Sequence, residues 1–472
     1  MKRVLILAIP VVLASAFARA EAPATDPAWK PLTAKAAVQD GSLRARSPIV
    51  AHEHAVKFGE EWKLERNAIT FEHKGKSLNV MIMSPPIGNN KKITCKDSAQ
   101  TLVKLKAFGV DYGFWVRLDP DGEHALVSSA FGIKVPLGRD GAYLLDSDFD
   151  GAVGSAKDGV IVPNSRTVGP LVTPVTQLWT EDEAIQVRKN ADGTWSMAPL
   201  AMPKPDDRDH AAAWRCLLWH RQACGLLPPD YHAEIEPPMR AHAEYLAANK
   251  TMGHTENPGA PGYSKEGDEA GKSSLLGWGH KTCLAGVLGQ LNTLVHRSGA
   301  LSPEMSGSAL MMHQGTFLLS WSKIASSPLS GRVLVYPGHG MTGVPCRSDV
   351  VREMPCPVDD KGKPFGTPVG IYARSLMFGA ALSEAPTLTL VPVDAKGNAG
   401  PPVEGEFHYP GKGAGGSKDT MGNIALIPTS PLRPETLYRA SITARLPGLS
   451  SAFIYEWEFE TGKPADTGRP MK

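Results

Sequence analysis

The sequence predicts an α+β protein in which a helical centre stands between two β-rich ends. Three observations carry this: short alternating runs before residue 200, helical spacing of apolar residues from about residue 208, and renewed alternation after about residue 362. A length of 472 residues with 42% apolar composition exceeds the needs of one core and suggests about three domains of roughly 150 residues each.

The N-terminus reads Met1-Lys2-Arg3, an apolar run from Val4 to Phe17, then Ala18-Arg19-Ala20. These are the basic, hydrophobic and small-residue regions of a secretory signal, so residues 1–20 are predicted to be a signal peptide cleaved after Ala20. The expected product is exported, to the periplasm or the extracellular space. No Cys follows the cleavage site, which argues against a lipid anchor. No other stretch approaches the roughly 20 consecutive apolar residues of a membrane span. The formal net charge is +2, and loss of Lys2, Arg3 and Arg19 with the signal leaves a near-neutral chain. That balance gives no electrostatic case for nucleic acid.

Residues 21–207 alternate short strands with Gly/Asp turns, as in Phe114-Trp115-Val116-Arg117-Leu118 followed by Asp119-Pro120-Asp121-Gly122. A β-rich domain is expected there. Within it, Asp146-Ser147-Asp148-Phe149-Asp150-Gly151 sets carboxylates of Asp146, Asp148 and Asp150 on alternate positions before a glycine. That pattern suits a Ca2+ loop; the plain alternative is an acidic surface turn. An EF-hand would want Glu where Lys157 stands, although Asp158 follows and could close a different loop. His52 and His54 around Glu53 read as exposed strand residues.

A Pro-containing polar segment, Pro199 to Asp209, separates this part from the helical centre. Asp209 is expected to cap a helix from about Ala211 to Ala223, ended by Gly225 and Pro228. Met239, His242, Ala243 and Leu246 fall at spacings of three and four, one buried stripe of a second helix. On that stripe His242 reads as a core residue. A third helix is expected over Leu284 to Val295, with short strands around Ser308 to Ser320 and Gly331 to Tyr336. The central unit is bounded at 208–357.

In the last part, 358–472, Tyr438, Ala440, Ile442 and Ala444 share one face of a strand, and Phe453, Tyr455, Trp457 and Phe459 alternate in another. The turn Leu432-Arg433-Pro434-Glu435-Thr436-Leu437-Tyr438 and the closing Trp457-Glu458-Phe459-Glu460-Thr461-Gly462 resemble bacterial immunoglobulin-like β-sandwich modules. The six cysteines are Cys95, Cys216, Cys224, Cys283, Cys346 and Cys356. Export would permit disulfides. Cys346 with Cys356 is the best local pair, and Cys216 could reach Cys224 or Cys283 if the helices bring them together. No CxxC or Cys/His zinc spacing occurs.

Several blocks in the centre share an order with one family. They are Arg221-Gln222-Ala223-Cys224-Gly225-Leu226, His242-Ala243-Glu244-Tyr245-Leu246-Ala247-Ala248-Asn249, Gly253-His254-Thr255-Glu256, Pro261-Gly262-Tyr263-Ser264, Val295-His296-Arg297, Leu301-Ser302-Pro303 and Val335-Tyr336-Pro337. Over about 150 residues this resembles the CAP superfamily, that is, the SCP-like domain of cysteine-rich secretory, antigen 5 and pathogenesis-related proteins, in its bacterial multidomain branch. The resemblance implies an αβα sandwich for the centre and a cleft between helices and sheet that holds two His and two Glu, able to bind a divalent metal. His254 matches the first His and His296 the second. The acids depart from the pattern: the usual Gly-Glu-Asn element is replaced around Gly267-Asp268-Glu269-Ala270-Gly271, and the helix that brings the second Glu offers Gln290. Glu256 and Glu269 are the substitutes at hand.

The leading expectation is therefore an exported binding module of the envelope or extracellular space, its cleft taking a small or glycan-like ligand or its surface an envelope protein. One alternative is a metal-dependent hydrolase, with His254 and His296 holding the ion and Glu256 or Glu269 as general base. Another is a purely structural envelope protein. Arg297 is expected to pair with a local carboxylate or to face the helix end, and Tyr263 and Ser274 to pack loops. No nucleophile elbow supports serine hydrolysis.

Overall fold

In the computed structural model the described residues are 30–32 and most of 54–463. The longer stretches outside them are 1–29, 33–53, 84–90, 97–100, 119–122, 148–152, 325–332, 349–352, 354–363, 377–381, 411–421, 448–451 and 464–472. The expected signal, His52, Asp148, Asp150 and Cys356 all fall outside.

Alternation of side chains builds the N-terminal part from four antiparallel sheets of four strands. One sheet runs in the order His54–Lys57, His124–Ser129, Val110–Leu118, Thr101–Ala107, and another joins Glu61–Leu64, Asn67–Lys74, Ser77–Met83 and Lys91–Lys96. Ile69, Phe71, Leu78, Val80, Val103, Phe114 and Val116 form their shared apolar cluster. A separate cluster, including Val135, Leu144, Leu178, Val187 and Trp195, belongs to the other two sheets. Residues 30–199 thus hold two cores. At the acidic turn, Asp146 is buried. Asp158 closes the loop, one oxygen accepting from Ser147 N and the other from Gly154 N and Ser155 N.

Five helices follow: α1 (Arg208–Ala223), α2 (Glu236–Asn249), α3 (Lys265–Lys272), α4 (Cys283–Leu291) and α5 (Val295–Ala300). The cap of α1 is Asp207, which accepts from His210 N at 3.0 Å, not Asp209. The helix begins about one turn earlier than the sequence suggests, which frees Asp209 to cap α4 instead, through Cys283 N at 2.6 Å and Leu284 N at 3.3 Å. One carboxylate thereby ties the starts of two helices together. Gly225, at φ 71°, ends α1 in the left-handed conformation that glycine adopts without a Cβ clash.

The family-like block at the end of α1 has structural employment. Arg221 is fully buried and donates to the carbonyls of Leu227, Ala300, Ser302 and Met305. Gln222 reads the Val175–Trp179 strand as another strand would, accepting from Trp179 N at 2.9 Å and donating to Gln177 O at 2.6 Å. Cys224 and Cys283 are buried thiols, so Cys216 pairs with neither.

Of the expected helix over Leu284 to Val295, α4 covers residues 284–291; the helix breaks at 292–294, and α5 begins only at Val295. Thr293 Oγ1 donates to Gln290 O at 2.9 Å, a side chain competing with the helix ladder as Thr does. A hairpin of Leu310–His313 and Thr316–Ser320 extends to Ser274–Trp278, forming the central antiparallel sheet. Helix α2 buries Met239, His242, Ala243 and Leu246 against Leu276, Met311 and Leu318.

After residue 333 two further sheets form. Leu334–Tyr336, Val369–Tyr372, Asn423–Pro428 and Gly405–His408 make one; Thr387–Val393, Leu437–Ala444 and Phe453–Glu460 make the other. In the latter Tyr438, Ala440, Ile442 and Ala444 are all buried, with Tyr438 opposite Phe459 and Ala440 opposite Trp457, as the alternation predicts. One continuous apolar cluster runs from Trp214 and Leu217 of α1 through Tyr336 and Ile371 to Trp457 and Phe459. No helix among the described residues is long and apolar enough to cross a membrane.

Candidate functional site

Where the loop after α2, the Ser274–Trp278 strand, α4 and the start of α5 meet, they leave a cleft of about 300 Å³. His254 and His296 both line it, with Trp278, His280, Gln290 and Glu353 among its other walls. The two histidines that the sequence singles out are therefore brought together, from segments about 40 residues apart.

Each imidazole is oriented through Nδ1. That of His254 donates to Gly271 O at 3.0 Å; that of His296 lies 3.1 Å from Glu353 Oε1. A carbonyl oxygen only accepts, so His254 carries a proton on Nδ1. Beside His296 stands the carboxylate of Glu353, a partner for a proton on its Nδ1.

Glu353 is the residue sequence reasoning missed. Its side chain is fully buried, and its carboxylate accepts from Leu294 N at 2.9 Å, Val295 N at 2.6 Å and His296 N at 2.7 Å. The orphan amides of the first turn of α5 are satisfied by an acid nearly 60 residues downstream. In the sequence Glu353 precedes Met354-Pro355 and carries no local capping pattern.

Neither acid proposed from sequence lines the cleft. Glu256 is buried, holding His242 Nδ1 at 2.9 Å and accepting from Ser264 N at 2.9 Å. His242, whose Nε2 faces Gly253 O at 3.0 Å, is the core residue expected. A Cβ on Gly271 would come within 2.4 Å of its ring, so the glycine lets α3 close on α2. Glu269 points outward, mostly exposed and near Lys265. The two have separate causes: α3 turns Glu269 to solvent, while the buried His242 needs an oxygen partner and takes Glu256.

The donor set does not fit a resident divalent cation. Among the described residues no three His, Cys, Asp or Glu side chains assemble to hold a metal. In the cleft itself the one carboxylate, Glu353, is committed to the helix start, and Gln290 presents a neutral amide.

Glycines shape the rest of the wall. A Cβ on Gly289 would lie 2.6 Å from His280 Cε1, and one on Gly277 would lie 2.9 Å from both Gln290 Nε2 and the His280 ring. Arg297, next to His296, turns away from the cleft into the core. Its guanidinium stacks 3.9 Å from the Tyr336 ring centroid and donates to Pro368 O at 3.0 Å, so it meets an aromatic face and a carbonyl instead of the expected carboxylate or helix end. Burial pushes the Tyr336 hydroxyl up to about 12, and likewise the nearby Cys224 thiol to about 12. Tyr263 is partly exposed, whereas Ser274 is buried.

No family model matches the chain, and no curated protein matches it. Among solved structures it is similar to an extracellular protein containing an SCP domain from Bacillus anthracis strain Ames. That likeness has 11% identity and a TM-score of 0.21, over 56% of this chain and 88% of that one. It is also similar to a cysteine-rich secretory protein from Staphylococcus aureus Mu50, with 8% identity and a TM-score of 0.18, over 56% of this chain and 85% of that one.

Proposed function

We propose that the protein is an exported binding module whose CAP-like centre takes a small ligand in the His254/His296 cleft. The carrying observation is that these two histidines, picked out by motif alone, line one cleft and are each oriented by an oxygen at Nδ1. Orientation of this kind suits recognition, because side chains held in place lose little freedom when a ligand arrives. The hydrolase read from the sequence assigns the general base to Glu256 or Glu269, and neither lines the cleft. Glu256, Glu269 and Glu353 are each engaged or turned away, so the geometry favours binding over hydrolysis.

The flanking β-rich parts, the C-terminal one read as immunoglobulin-like, would then present the cleft at an envelope surface or to a partner. Export rests on the N-terminal sequence. Expression in a bacterial host with its own secretion pathway should yield a product beginning at Glu21. A retained Met1 in the exported fraction, or no export at all, removes that part of the reading.

The binding claim is tested by saturation-transfer NMR against a panel of neutral oligosaccharides, fatty acids and small aromatic compounds. The reading expects signal from at least one class, abolished in a His254→Ala/His296→Ala variant that stays folded by circular dichroism. Absence of signal from every class, or signal that the double variant retains, overturns it.

A further inference from the structure

Gln290 is only 4% exposed, yet it forms part of the cleft wall. Its Nε2 donates to Leu276 O at 3.1 Å, and its Oε1 has no hydrogen-bond partner. Flipping the amide does not help, because the carbonyl of Leu276 requires a donor. The orientation is therefore fixed, and a buried acceptor is left over. A buried acceptor is costly to leave unpaired, and the cleft that Gln290 helps to line is the route by which a donor reaches it.

The character of that group follows from its surroundings. Oε1 of Gln290 is a neutral acceptor with nothing donating to it, and the carboxylate of Glu353 lines the same cleft. A carboxylate or phosphate ligand would meet that lone pair and that negative charge and is disfavoured; so is a bare cation, for which the donor set is too small. What complements a buried neutral acceptor is a neutral molecule carrying O–H or N–H groups. The rim adds an apolar face: Trp278 is 52% and Met252 48% exposed, and both border the cleft. An exposed indole offers its negative π-face to polarised C–H groups.

We infer that Gln290 is the specificity-determining acceptor of this cleft and Trp278 its stacking platform, and that together they select a neutral pyranoside. An acetamido sugar suits the site best. Its amide N–H is a single well-directed donor for Oε1, its methyl group can face Leu276, and its ring presents C–H bonds to Trp278. The same chemistry occurs in free acetamido oligosaccharides and in polymeric envelope glycan. This inference rests on the proposed reading of the cleft as a binding site.

The test is isothermal titration with N-acetylglucosamine trisaccharide as the probe, and a pull-down on insoluble peptidoglycan to separate the two sources. Wild type should bind the trisaccharide. Gln290→Met, which keeps the volume and removes the acceptor, should weaken binding by roughly tenfold or more. Trp278→Ala, at an exposed position that leaves folding intact, should do the same. Binding of the trisaccharide without pull-down by peptidoglycan assigns the free sugar as source, and both together assign the polymer. If the trisaccharide fails to bind while a fatty acid or aromatic compound binds in a manner dependent on His254 and His296, the inference falls and the binding-module reading stands. Unchanged affinity in both Gln290→Met and Trp278→Ala also overturns it.

Discussion

Glu353 Oε1 lies 3.1 Å from His296 Nδ1 and, at the same time, accepts the backbone N–H groups of Val295 and His296. One carboxylate thus starts helix α5 and stands against the ring of a cleft histidine, so fold and site share a single anchor.

Replacing Glu353 with Gln keeps the shape but turns an amide NH2 toward groups that are all donors. The loss should be about 2–4 kcal/mol of stability, the range for breaking a buried charged acceptor of several hydrogen bonds. Denaturant unfolding measures the first effect. Nitrogen chemical shifts of the His296 ring measure the second, and should move when the carboxylate partner is lost. A stable variant with an unchanged ring would show that the pairing orients nothing.

A Gly289→Ala variant separates helix stability from the cleft. Within α4 the change should favour the helix by up to about 1 kcal/mol. The new Cβ, however, falls 2.6 Å from His280 Cε1, and that half-buried ring must swing into the cleft to avoid it. Thermal stability should hold or rise while affinity for whatever ligand the cleft takes falls. Equal affinity in the two proteins would place His280 outside the binding surface.

Much of this was legible locally. The faces of Leu437–Ala444 and the buried stripe of α2 follow from periodicity, because one sheet or helix face against a core repeats every two or every three to four residues. His254 and His296 were found from motif. What remained hidden depends on contacts across the chain. In the sequence Glu353 has nothing nearby to mark it as a cap, and Asp207 and Asp209 are equally good caps until the helix start is known. Glu256 and Glu269 were the substitutes at hand for the two Glu that the family resemblance implies, but burial of His242 decided the fate of one and the facing of α3 that of the other.

The double capping by Asp207 and Asp209 gives unequal mutants. Asp207→Ala should cost about 1 kcal/mol, the ordinary loss of an N-cap. Asp209→Ala removes the acceptor for Cys283 N and Leu284 N and loosens α4 from α1, so its cost should be at least as large and should extend to the cleft wall carried by α4. Hydrogen exchange distinguishes them: faster exchange confined to the first turn of α1 in the former, and spread over Cys283–Leu291 in the latter. The same pattern in both would mean that Asp209 does not join the helices.

At the acidic turn two roles for carboxylates can be told apart. Asp158 accepts three backbone N–H groups, so Asp158→Ala should lose about 1–3 kcal/mol with or without calcium. Ion binding by Asp146, Asp148 and Asp150 instead makes stability depend on calcium, since a ligand of the native state raises its melting temperature. Chelator and millimolar calcium are compared in wild type and in Asp146→Asn. No shift between them in wild type removes the ion from the account.

His220 makes stability depend on pH. It is buried on α1, its Nδ1 donates to Cys216 O at 2.9 Å, and burial pushes its pKa down to about 4, the backbone acceptor opposing only in part. The unfolded chain has the ordinary value of about 6.5. Above pH 6.5 both states are neutral at this residue and its contribution is fully present. Between about 6.5 and 4 the unfolded state binds a proton that the folded state does not, so stability falls as pH falls, by at most roughly 3 kcal/mol across the window. Below about 4 both states are protonated and the dependence from this group levels off. A His220→Leu variant should lack this slope between pH 6.5 and 4 while keeping whatever the carboxylates impose at lower pH. Parallel pH profiles of unfolding free energy for the two proteins would show that His220 is already solvated in the folded state.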